Sequence, residues 1–168
     1  MGQFWKPAFK KAKRKSTWQV LHPFKHGNTL RLMDQAHIGE PIMWDVHSLI
    51  WKKPTQIVWA GDYNEDGKYQ KLYFSNEYTD TIPQKFDAEK LHYLVNKTKN
   101  LYIVYDYLNQ KSTDIDALAI LCAECNGLGG GDYFGENMEL AGTWAGDVFY
   151  TTDKLPKNCT EYKPNFEI

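Results

Sequence analysis

The chain has 168 residues, 42% of them apolar and 15% aromatic, with a formal net charge of −1, a length at which one domain spanning 1–168 buries about 70% of the surface its unfolded form would expose. That composition excludes a disordered chain, and its 3 cysteines are odd in number and too few for a secreted disulfide scaffold. The longest apolar run, Leu118 to Ala123, is too short to span a bilayer, so no membrane role is expected.

The near-neutral sum conceals a gradient. Residues 1–31 carry eight Lys or Arg and no acid, whereas residues 112–168 carry ten Asp or Glu against three Lys. The two ends would attract each other, within one chain or between copies in a homo-oligomer. The start MGQFWKPAFKK has no apolar run of the signal-peptide kind, so a cytoplasmic location is expected. Gly2 does not open a myristoylation motif, because Lys6 stands where Ser or Thr is required.

In chain order, Phe4-Trp5 and Trp18 to Leu21 flank the cluster Lys10 to Lys15, a pattern that predicts a hairpin with a charged tip. Basic side chains between aromatics also suit nucleic acid, since they displace phosphate counterions while rings stack on bases. Ile42, Met43, Val46, Leu49 and Ile50 recur at helical spacing behind Pro41, which predicts a helix there. Gln56 to Trp59 reads as a short strand entering Ala60-Gly61-Asp62. The following Asp62 to Gly67 matches the first six positions of a calcium loop, but Tyr73 stands where the bidentate Glu belongs. The favoured reading is a hairpin closing on Asp66-Gly67, with Leu72 to Phe74 as its second strand.

Residues 75–90 read as a surface loop. His92 to Val95 and Leu101 to Tyr105, joined by a Lys-rich tip, predict a second hairpin. Ile115, Leu118, Ala119 and Cys122 have helical spacing after a cap at Ser112 or Asp114, yet the same run would serve as a buried strand. The glycine-rich stretch Cys125 to Asp132 follows, then Leu140 to Tyr150 as a strand with a turn inside it. Beyond Asp153 a polar tail is expected to lie over the surface. Trp59-Ala60-Gly61-Asp62 recurs as Trp144-Ala145-Gly146-Asp147, which suggests a pseudo-repeat of hairpin, apolar segment and turn. The resulting fold class is α+β, a twisted and mainly antiparallel sheet with one or two helices.

As a set, MGQ, IVWAGDY (Ile57 to Tyr63), LVNKTKN (Leu94 to Asn100), NGLGGGDY (Asn126 to Tyr133) and GTWAGDV (Gly142 to Val148) resemble the motifs of a family of uncharacterised phage and bacterial proteins. The resemblance spans most of the chain and implies site positions without a mechanism. If the chain is phage-encoded, its location is the host cytoplasm. Leu128 replaces the Arg that the family carries among its glycines, so the loop brings no cation of its own. Members also place proline before the glycines, which tilts residues 117–122 toward an extended strand.

The candidate chemistry gathers at the glycines. Gly127, Gly129, Gly130 and Gly131 permit close backbone approach, and successive N–H groups would form an anion nest, although Asp132 repels a phosphate there. Asp62, Asp132 and Asp147 would form a carboxylate cluster for acid-base or metal chemistry, or else each would cap its own turn. Cys122-x-x-Cys125 has no second pair for zinc. Of the five histidines, only His37 is retained as a candidate. The expected function is a non-catalytic accessory or counter-defence protein that captures a small polar, nucleotide-derived ligand without a cofactor. Trp59, Asp62, Gly129, Gly130, Gly131, Asp132, Trp144 and Asp147 would line its site. The alternatives are a metal-dependent hydrolase using the three aspartates, or a nucleic-acid binder using the N-terminal tip.

Overall fold

Aromatic and β-branched residues dominate the stretches that form the longest strand pair. In the computed structural model, which describes all residues except 1, 14, 64, 66, 80–86, 107–109 and 112–113, β1 (Trp5–Lys11) runs antiparallel to β3 (Thr55–Gly61), from Trp5 opposite Gly61 to Lys11 opposite Thr55. The short β2 (Gln19–Val20) completes the predicted N-terminal hairpin, with Ala8 opposite Val20. The predicted second hairpin is β4 (Tyr93–Asn96) and β5 (Leu101–Val104). With β6 (Val148–Thr152) and β7 (Thr160–Glu161) they form one seven-stranded sheet in the order β2-β1-β3-β6-β4-β5-β7. Among the described strands, β5 and β7 are the one parallel pair. Among the described residues four short helices, the first of them α1 (Leu32–Gln35), pack with this sheet, and the fold is α+β.

One face of the sheet carries the main core. Trp5, Phe9, Ile57, Trp59, Leu94 and Phe149 meet Met43, Val46 and Ile50 from α2 (Pro41–Leu49) and its C-cap, and the apolar α4 (Ala117–Leu121). Pro41 occupies the first turn of α2, where its missing N–H has no intrahelical partner to lose. An indole removes roughly 200 Å² from water, so burial of Trp59 contributes about 5 kcal/mol before its entropy is counted. The opposite face has a smaller core of Ala8, Val20 and Val58, covered by Trp18, Tyr69, Leu72, Tyr78 and Ala145.

Residues 72–74 do not form a hairpin strand, because Gln70–Tyr73 is a helical turn, α3, that lays Leu72 over the small core beside Val58. Asn64 and Asp66 of the calcium-loop reading lie outside the described residues, as do 80–86 of the expected surface loop.

Residues 117–121 are helical and not extended. The N-cap is Asp116, whose carboxylate accepts the Leu118 N–H at 3.1 Å, and not Asp114, while the other expected cap, Ser112, lies outside the described residues. At the other end, Trp144 N donates to Leu121 O at 2.8 Å and Trp59 N donates to Cys122 O at 2.9 Å. The tryptophans of both WAGD segments thus satisfy terminal carbonyls of one buried helix.

The two WAGD segments are nevertheless not equivalent. The first is β-strand up to Gly61, whereas the second is a turn that precedes β6, with Gly146 at φ 81°. Residues 140–147 are therefore outside the strand predicted for 140–150. The polar tail also joins the sheet, through β7, and packs Tyr162 and Phe166 on the main core.

The chain between β6 and β7 crosses β4 and β5 in seven residues, 153–159. Val95 and Tyr150, opposite each other on β4 and β6, line one cleft together with Lys157, Asn158 and Cys159. The crossover therefore passes over the sheet face that points away from α2. No helix among the described residues is long and apolar enough to cross a membrane.

Candidate functional site

N–H groups of the glycine loop converge on an anion, and the anion is the chain's own Asp132 and not a ligand. Asp132 is 4% exposed. Its Oδ2 accepts the N–H groups of Gly127 at 2.8 Å, Leu128 at 3.1 Å and Gly129 at 3.2 Å, while Oδ1 accepts Trp5 Nε1–H at 2.8 Å. Three backbone dipoles and an indole converge on one carboxylate, so Asp132 holds the loop closed on β1.

The N-terminal segment completes this knot. Gly2 bridges Gly130, and Gln3 is fully buried between the loop and the end of β3. A Cβ on Gly129 would stand 2.7 Å from Gln3 Cβ and overlap the Gln3 backbone, and a Cβ on Gly61 would overlap the Gln3 amide. Gly2-Gln3, the first WAGD segment and the GLGGGD motif are therefore one packing arrangement, in which glycine is required because another chain segment occupies the side-chain space. Gly131, at φ 86°, packs on the Arg31 stem.

Asp62 accepts Phe4 N–H at 2.8 Å. Asp147 accepts from Asn96 Nδ2 at 2.8 Å and pairs with Lys99. Gly146 N donates to Ile57 O at 2.8 Å, which seats the second turn beside the start of β3. Asp62 follows the far end of that strand, about five residues or roughly 17 Å away. The structure thus brings Asp62 and Asp132 to neighbouring residues of the N-terminal segment and leaves Asp147 apart. Among the described residues, no group of three His, Cys, Asp or Glu could hold a metal ion. Trp59, fully buried with Nε1 donating to Gln35 Oε1 at 3.0 Å, and Trp144, 2% exposed, present no open ring face. His37 lies in an isolated bridge to Ile115.

A histidine that sequence reasoning did not single out is more tightly held. His47 Nε2 lies 2.6 Å from Asp116 Oδ2, and Tyr105 OH donates to Asp116 Oδ1 at 2.6 Å, all within the core. Burial first, and the Asp116 charge after it, hold the Tyr105 phenol well above its ordinary value. A phenol in the unfolded chain ionises near pH 10, so the stability tied to this group is intact below about pH 10 and is lost as pH rises further. Urea titrations between about pH 8 and 11 are expected to show falling stability, with a shallower fall in Tyr105→Phe.

The open concave chemistry lies elsewhere, under the β6–β7 crossover. A cleft of about 500 Å³ is lined by Lys52, Pro54, Val95, Lys97, Asn100, Tyr150, Lys157, Asn158 and Cys159. Its three lysines come from the α2–β3 connection, the β4–β5 turn and the crossover, and no carboxylate lines it among the described residues. Lys52 pairs with Asp153 at 3.1 Å on the surface. Burial, and after it the neighbouring Cys159, push the Tyr150 phenol up. Lys52, Asn100 and Asn158 all have left-handed backbones, at φ 53°, 55° and 59°. Such conformations cost energy in a non-glycine residue and cluster where a fold has to present particular groups.

None of these cleft residues was a predicted site residue. The available signals were the Lys-rich tip of the second hairpin and the pair Lys52-Lys53, local charges that belong to one cleft only once the crossover places Lys157 against them. A larger cleft of about 710 Å³ lies at the β5–β7 edge, with Asp114, Glu161 and Glu167 against one Lys163. No protein-family profile, curated protein or solved structure matches this chain.

Proposed function

We propose that the protein is a non-catalytic binder of a small phosphate-bearing ligand, held in the cleft under the β6–β7 crossover. The observation that carries this reading is the convergence of Lys52, Lys97 and Lys157, from three chain segments, on a lining that holds no carboxylate among the described residues. Lysine ammonium groups bind phosphate as point charges, and Asn100, Asn158 and the Tyr150 hydroxyl add neutral hydrogen-bonding partners. The volume of about 500 Å³ suits a nucleotide-sized molecule. The nucleotide-derived ligand expected from the sequence is retained, and its place moves from the glycine loop to this cleft. Sequestering such a ligand without turnover fits the accessory or counter-defence role expected from the sequence.

The test is thermal unfolding with pyrophosphate, a panel of nucleotides, and adenosine as the uncharged control. Saturating phosphate-bearing ligand is expected to stabilise the fold by about 2–3 kcal/mol at 100 times its Kd, which shifts Tm by roughly 5–10 °C. Adenosine should leave Tm unchanged. Lys97→Glu combined with Lys157→Glu is expected to weaken binding at least about 100-fold with little change in the ligand-free Tm. If no phosphate compound raises Tm or gives heat on titration, the reading is wrong.

A further inference from the structure

The acidic cleft at the β5–β7 edge and the basic tip of the first hairpin have complementary charge at opposite ends of one sheet. The tip presents Lys11, Lys13 and Lys15, all exposed. The cleft, about 710 Å³, has Ile103, Ile115 and Phe166 in its lining and carries three carboxylates, Asp114, Glu161 and Glu167, against Lys163. Asp114 receives the Lys111 N–H at 2.8 Å, and Glu161 stands 3.7 Å from Lys163, so the lining still carries a net negative charge. Lysine suits such a surface, since its methylene stem covers apolar floor while its ammonium reaches the rim.

A chain cannot satisfy itself in this way. The strand order puts five spacings between β1 and β7, about 24 Å at the usual inter-strand distance, and the tip extends from the far edge. We infer that the acidic cleft receives the Lys11–Lys15 tip of a second copy of this chain, in a head-to-tail contact. Each copy keeps a free tip at one end and a free cleft at the other, so the contact is heterologous and propagates as an open series of chains. The small area of a hairpin tip makes the contact weak, in the range of about 10–100 µM, and its ionic character makes it sensitive to salt.

Sedimentation velocity on the nuclease-treated full chain tests this. In about 20 mM salt the weight-average mass is expected to rise with concentration above the 19.6 kDa of one chain, and to return to it in about 0.5 M salt. A tip-reversed variant, Lys11→Glu with Lys13→Glu and Lys15→Glu, should remain single, as should a cleft-reversed variant, Glu161→Lys with Glu167→Lys. All five positions are exposed, so both variants should unfold at the parental temperature. Mixed in equal amounts, the two should associate again, because acidic tips then meet basic clefts and basic tips meet acidic clefts. A single-chain mass at every concentration in low salt would overturn the inference. So would reversed variants that associate like the parent, or a mixture that stays single.

Discussion

Replacing Asp132 by alanine is expected to destabilise the fold by about 4 kcal/mol, enough to lower Tm by roughly 8–16 °C in a chain of this size. The carboxylate accepts four hydrogen bonds, from Gly127, Leu128, Gly129 and the Trp5 indole, and is nearly inaccessible to water. Truncation leaves those donors facing one another without an acceptor, and each buried donor left unpaired costs about 1–3 kcal/mol. Partial re-entry of water into the loop limits the total. Asp132→Asn keeps the volume and one acceptor oxygen but turns an amide NH2 toward donors, so it should fall between parent and alanine. Urea unfolding monitored by tryptophan fluorescence measures both. An Asp132→Ala protein as stable as the parent would show that the loop does not depend on its internal anion. Because the hydrogen-bond partners of Asp132 are Gly127, Leu128, Gly129 and Trp5, none of which lines the lysine cleft, the variant should retain phosphate-ligand binding at temperatures where it is folded.

The second large effect concerns the glycines beneath the N-terminal segment. Gly129→Ala is expected to cost about 3–4 kcal/mol, because the new methyl overlaps the Gln3 main chain and is placed 2.7 Å from Gln3 Cβ and 3.0 Å from Gln3 Cα. Main chain anchored by the Gly2–Gly130 bridge on one side and β1 on the other cannot yield by a rotamer change. Gly61→Ala meets the far end of the same residue, with Gln3 Nε2 as its nearest atom. That amide has no hydrogen-bond partner in the structure for either its N or its O. Removing the side chain should therefore relieve one substitution and not the other. In double-mutant cycles, Gln3→Ala is expected to recover about 1–2 kcal/mol from Gly61→Ala and little from Gly129→Ala. Equal recovery in both would place the clash in the side chain alone.

These two predictions follow from long-range packing that no local pattern announces, whereas much of the secondary structure was legible from local pattern. Period-two aromatic strands around Lys-rich tips gave both hairpins, because alternation places one set of side chains on a buried face wherever the strand pairs. Pro41 followed by apolar residues at helical spacing gave α2 for the matching reason at the helical period. Where the pattern was ambiguous it stayed ambiguous. Leu118 to Ala123 is apolar in every register, so its helical state depends on the Asp116 cap at one end and on tryptophan N–H groups from two distant segments at the other. Leu72 to Phe74 looked like a strand and became part of a helical turn because the second face of the sheet needed a cover.

The sequence by itself determined an α+β class, two basic-tipped hairpins, and opposite charge at the two ends of the chain, and it pointed to the glycine loop as a place where backbone N–H groups could gather on an anion. It also marked the WAGD echo, since repeated local chemistry is visible without coordinates. Only the tertiary structure decided what those features do. Whether a loop's N–H groups are open to a ligand depends on whether Asp132 folds back onto them, and whether a tryptophan can stack on a ligand depends on what buries it. Lys52, Lys97 and Lys157 are separated by 45 and 60 positions along the chain and become neighbours only when a crossover carries the last of them over the sheet. Their separation in sequence says nothing of that meeting, because the path of a connection over a sheet is set by which strands pair and not by the residues it contains.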